Sequence, residues 1–139
     1  QGVVTHPAAP IAMAHVVILG APATDSTHSA AAEFLKQLGI AAKPADDVAA
    51  CDASTGAAIL ILPSQPADPT AERVVLFKLG CAVGRLGANR VCVLHPPGVT
   101  PIAEGCVTHI GIDPAGAWHL PLARQLKLAG MHVDLNKLC

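Results

Sequence analysis

Residues Ala57–His95 read AAILILPSQPADPTAERVVLFKLGCAVGRLGANRVCVLH, and this stretch decides the fold. It opens on an unbroken apolar run, AAILILP at 57–63, too short for a buried helix and rich enough in Ile and Leu for a buried strand. The Pro-rich segment SQPADP at 64–69 turns the chain. A helix is predicted over 70–86, with Thr70 as its cap and Glu72 in its first turn, where an acid suits the helix dipole. A second apolar strand, RVCVLH at 90–95, follows at once. A strand, a crossover helix and another strand with no polar alternation make a βαβ unit with both sheet faces covered.

The flanks extend the same alternation. HVVILG at 15–20 reads as a short buried strand ending on a glycine that can turn sharply. Residues 21–26 form a loop, and a helix over 27–38 puts Ala31, Phe34, Leu35 and Leu38 on one face before Gly39 stops it. A weak strand is expected at 40–43 and one helical turn near 46–51. After the irregular segment 96–105, a fifth strand is expected at 107–112. The last helix, at 117–128, carries Trp118, Leu122, Leu126 and Ala129 at helical spacing, and Pro121 is tolerated in its first turn. The expected fold is α/β and flavodoxin-like, with a five-stranded, mostly parallel sheet and helices on both faces. Residues 1–14, rich in Pro and Ala, read as a linker or tail, and 15–139 as one domain.

Composition narrows the function classes. Of 139 residues, 52% are hydrophobic and 14% charged, so the chain should fold as a compact globule. Aromatic residues are limited to Phe34, Phe77 and Trp118, so the core must be aliphatic. A net charge of -1 offers no basic stripe for a nucleic acid backbone. No apolar run is long enough to span a bilayer, and a cytoplasmic setting is expected. The five cysteines, Cys51, Cys81, Cys92, Cys106 and Cys139, are odd in number and contain no CxxC, which favours reduced thiols. The seven histidines show no HxxxH or HxH pair, so no metal site is expected.

Two segments carry a resemblance. VVLFKLGCAVGRLGANRVCVL at 74–94 is similar to a pattern of the type NVVFELGxFxGRLGxxRVxxL, and DPAGAWHLPLARQLKLAGMHVDLNKL at 113–138 to one of the type GAWxxxLAxELKxAGxxVDLNKL. Both patterns belong to bacterial TIR-like domains described as predicted nucleotide-binding proteins, including the TIR part of TIR–STING defence effectors. The resemblance covers about the last half of the chain and is most specific in VDLNKL at 133–138. Members of that family commonly cleave NAD at the nicotinamide–ribose bond, using a glutamate on the central helix. The matching position here is Lys78. An ammonium stands where positive charge would develop on the sugar, at a cost of roughly 3 kcal/mol if it equals the loss of one preorganised electrostatic group. The family's Arg-Asp-Asn before the helix also reads Glu72, Arg73, Val74, and the Gly-rich loop of active relatives is missing before AAILILP.

The resemblance therefore implies a TIR-like scaffold with a degenerate hydrolase site. Its work would be self-association, or docking to a fused or associated signalling domain, with no nucleic acid and no membrane partner. The alternatives are an NAD glycohydrolase active on assembly, with Glu33 or Glu72 as the acid, and a non-hydrolysing nucleotide sensor. No cofactor is implied, although NAD remains a candidate substrate or ligand. Candidate ligand-binding residues are Gly20, Asp25, Ser26, Ser64 and Lys78, at the carboxyl ends of the first and central strands and on the central helix. Asp25 and Ser26 are equally suited to cap a helix, and Lys78 to a solvated helix face. Gly80, Gly84 and Gly87 are expected to let the central helix pack closely on the sheet. Cys81 and Cys92 are expected to be buried and inert, and Trp118 to anchor the core or an interface.

Overall fold

The computed structural model describes residues 15–20, 26–45, 51, 55–62, 69–96, 107–131 and 133. Strands β1 (His15–Leu19), β2 (Ala42–Pro44), β3 (Thr55–Ile61), β4 (Val91–His95) and β5 (Thr108–Gly111) alternate with helices α1 (Ser26–Gln37), α2 (Pro69–Leu86) and α3 (His119–Leu128). The strands form one sheet in the order β2-β1-β3-β4-β5. Every pairing is parallel, so the expected "mostly parallel" sheet is parallel throughout the described strands. This is the flavodoxin-like strand order, whose direction reverses between β1 and β3.

That reversal puts the helices on opposite faces, because each crossover keeps the same hand. Side chains alternate through the strands accordingly. Val16, Ile18, Ile59, Ile61, Cys92 and Leu94 join one core layer with Phe34 and Leu35 of α1 and Leu122 and Leu126 of α3. Val17, Leu19, Leu60, Val91 and Val93 join the other with Leu79 and Ala82 of α2 and with Cys51. β1 and β3 are buried along their whole length, which is why their sequences lack polar alternation.

Helix stops follow the glycines. Gly39 has φ +77° and Gly130 φ +97°. Beside them, the Ile40 amide donates to the Leu35 carbonyl at 2.9 Å and the Met131 amide to Leu126 at 3.1 Å, closing the last turns of α1 and α3. The weak strand expected at 40–43 lies at Ala42–Pro44, because Ile40 is spent on the core beneath that turn. The helix expected at 117–128 begins at His119, with Ala117 and Trp118 in the preceding turn. The helical turn expected near 46–51 falls almost wholly outside the described residues.

Two expectations about α2 are corrected. Gly80 and Gly84 do not face the sheet: both are exposed, and a β-carbon built on either meets no atom within 4 Å. The sheet-facing stripe is Val75, Leu79, Ala82 and Leu86, and the glycines fall on the far side. Gly87 also has open space around it and serves as the helix stop, with φ +91°. Cys81 is half-buried rather than buried, at the flank of the same stripe.

Candidate functional site

Gly20 follows β1 at the strand reversal, with φ +100°. A β-carbon there would overlap the Ile61 carbonyl oxygen, so the backbones of β1 and β3 meet where a ligand crevice forms in sheets of this order. Asp25 and Ser64, also expected here, lie outside the described residues, as do the loops 21–25 and 63–68.

Ser26 is the first residue of α1 and is exposed. It lines an open cleft of about 700 Å³ at the carboxyl edge of the sheet, between the starts of α1 and α3. The cleft walls are mainly apolar, with Ala30, Pro96, Ile112 and Trp118 on them and Asp113 and His119 as polar members. Two of the chain's three aromatic residues converge beside it. Phe34 stacks on the His119 ring at 4.4 Å and 4°, and meets Trp118 edge to face at 5.4 Å. Trp118 is 5% exposed, so it anchors the core, as expected. Asp113 is committed in part: its Oδ1 accepts from the Ala117 amide at 3.2 Å and caps the turn leading into α3.

Lys78 belongs elsewhere. It sits half-buried on the flank of the α2 stripe, one residue before Leu79. α1 and α2 cover opposite faces of the sheet, so Ser26 and Lys78 do not share a pocket among the described residues. Glu33 is exposed on α1, on the side of the sheet away from Lys78. Glu72 precedes Lys78 by six residues, about 9 Å along a helix axis.

Among the described residues, large apolar side chains are exposed on α2 and on α3, where Leu120 and Leu128 stand in solvent. Phe77 is 69% exposed, Val74 47% and Leu76 43%. Sequence reasoning missed this face, although a signal was present: Val74–Phe77 are four consecutive apolar residues, and one helix face cannot bury all of them. It also missed His119, whose partners Phe34 and Gly116 are distant or unremarkable in the sequence.

Cys92 is buried in β4, as expected, and burial pushes its thiol up to about 12. Cys51, Cys81 and Cys92 form no disulfide among the described residues, and Cys106 and Cys139 lie outside them. Among the described residues, no group of three or more His, Cys, Asp or Glu is placed to hold a metal, and no helix is long and apolar enough to cross a membrane. The chain matches no family model, no curated protein and no solved structure.

Proposed function

We propose that this chain is a TIR-like domain whose NAD-cleaving site is degenerate and whose work is association, with itself or with a signalling partner. One observation carries the proposal: Val74, Leu76 and Phe77 stand exposed together on α2, the helix that also bears Lys78. Exposed apolar side chains of this size favour an interaction surface, because leaving them in water is unfavourable. Lys78 supports the catalytic half of the proposal. An ammonium repels the sugar cation that a glutamate would stabilise, and Glu33 and Glu72 are too far displaced to replace it. Incubation with NAD should release no nicotinamide, and light scattering should show a species larger than one chain. Turnover that survives Lys78→Ala, or a strict monomer at high concentration with no partner captured, would overturn it.

A second reading is a nucleotide sensor without turnover. The cleft beside Ser26 favours it, since about 700 Å³ lies within the common range for small-molecule sites, roughly 300–1,000 Å³. Calorimetric titration with NAD, ADP-ribose and cyclic dinucleotides tests it, and flat titrations remove it.

A further inference from the structure

We infer that the cleft between the starts of α1 and α3 binds a small organic cation, an ammonium or amidinium on an apolar ring or chain, with its charged head on Asp113. The inference goes beyond the association proposed above and needs neither pairing nor NAD chemistry. It gives the cleft a ligand of opposite charge to a nucleotide. About 700 Å³ of open space accommodates a body of that kind. Ala30, Pro96, Ile112 and Trp118 supply apolar wall, so such a body gains by leaving water there.

Charge decides the head. Among the described residues that line the cleft, Asp113 alone carries a formal charge, and none is Lys or Arg. Asp113 is half-buried. Its Oδ1 accepts from the Ala117 amide at 3.2 Å, and its carboxylate makes no second hydrogen bond among the described residues. A carboxylate has room for several such bonds, so Oδ2 keeps its capacity. In this partly desolvated place an incoming anion is repelled and an incoming cation is paired. The sequence segments 21–25 and 97–106, which adjoin the lining residues Ser26 and Pro96 in the chain, contain Asp25 and Glu104 and no Lys or Arg.

The helix starts do not reverse this sign. A helix N-terminus attracts anions through its free amides. At α3 the Ala117 amide is taken by Asp113, the His119 amide by the Gly116 carbonyl and the Leu122 amide by the Trp118 carbonyl, and Pro121 has no amide hydrogen. Few donors are left there for an anion. At α1, Thr27 is buried and already partnered, and exposed Ser26 offers a hydroxyl oxygen that can accept from an ammonium. His119 completes the head site. Its ring lies flat on Phe34 at 4.4 Å and meets Trp118 edge to face at 4.2 Å, so packing fixes its position. A neutral imidazole carries one acceptor nitrogen, and aromatic faces attract cations.

Trp118 lines the cleft and is the one tryptophan of the chain, so its emission reports occupancy. The probes are benzylamine, benzyl alcohol and benzoate, which share a ring and differ in charge. Near neutral pH, benzylamine added to the full chain should change the Trp118 emission saturably and shift the His119 ring protons in nuclear magnetic resonance spectra. Benzyl alcohol should bind roughly fivefold more weakly, the scale of one partly exposed ion pair, and benzoate more weakly still. Asp113→Asn keeps an acceptor for the Ala117 amide and removes the charge. It should bring benzylamine down to the level of the alcohol, leave the alcohol unchanged and preserve the far-ultraviolet circular dichroism. Ala30→Met, a good helix former that narrows the cleft, should weaken both. Benzoate bound as tightly as benzylamine, a preference for the amine that survives Asp113→Asn, or no saturable response to benzylamine overturns the inference. So does displacement of benzylamine by NAD or ADP-ribose. Flat nucleotide titrations or a strict monomer, with the amine still bound, remove the readings above and leave this one standing.

Discussion

Gly20 lies against the carbonyl of Ile61 so closely that no side chain fits between β1 and β3 at the strand reversal. An added β-carbon would overlap that oxygen and stand 3.2 Å from the Ile61 amide nitrogen. The φ of +100° is a second obstacle, independent of the first. Neither obstacle is relieved by a rotamer change, because both lie in the backbone. Gly20→Ala should therefore cost about 3 kcal/mol, from left-handed strain and overpacking together. A fall in the urea midpoint at unchanged slope checks this. Gly111→Ala is the control: its β-carbon would meet the His95 side chain at 3.0 Å, which can move, so its cost should be clearly smaller.

Arg90 ties the start of β4 to the start of β3. Its Nε donates to the Gly56 carbonyl at 2.9 Å, and its second terminal nitrogen donates to the Thr55 carbonyl. The preceding 3-10 turn is held from the other side, where Gln125 Nε2 of α3 donates to the Asn89 carbonyl at 2.8 Å. Arg90→Met keeps the aliphatic stem but removes both donors, and should cost about 2 kcal/mol. Because both side chains fix one turn, the double variant with Gln125→Leu should cost less than the sum of the two. A thermodynamic cycle measured in urea reads that coupling, and strict additivity would show that the two ties act separately.

The parallel sheet was legible because its signal is local: AAILILP and VCVLH are apolar without alternation, and only a doubly covered strand needs that. The helix ends were legible for the same reason, through Gly39 and Gly130. The orientation of α2 was not. Its apolar residues occupy more than one face, so periodicity alone does not select the Val75, Leu79, Ala82 stripe over one through Phe77. The sequence therefore puts the glycines on the sheet side, whereas the packing leaves Gly80 and Gly84 exposed on the far side. The cleft beside Ser26 joins residues from α1, the end of β4 and the turn before α3, and no local pattern encodes such a meeting.

Gly80 and Gly84 also make a prediction about the isolated chain. Both are helical, exposed and free of neighbours, so alanine gains helix propensity and meets no clash. Below the concentration at which copies pair, Gly80→Ala and Gly84→Ala should each stabilise the fold by about 1 kcal/mol. Thermal melts of dilute protein check the sign. A loss of stability in the monomer would mean that these glycines do contact the rest of the chain.

Cys92 gives a pH dependence whose direction follows from burial alone. It sits in the middle of the sheet, paired with Ile59 of β3 and Thr108 of β5, and its thiol is pushed up from 9.0 to about 12. Between those values the unfolded chain has lost the thiol proton and the folded chain keeps it. The unfolded state then binds fewer protons, so stability falls as pH rises. The full contribution is present below about pH 9 and is lost as pH climbs toward about 12. The slope should approach about 1.4 kcal/mol per pH unit for this one group. Comparing the parent with Cys92→Val isolates the effect, since other alkaline titrations are common to both. The parent should lose stability faster than the variant above pH 9, and equal slopes would mean that water reaches the thiol in the folded state. Thiol labelling of the native protein at pH 8 provides the second readout, with half-buried Cys81 reacting well before Cys92.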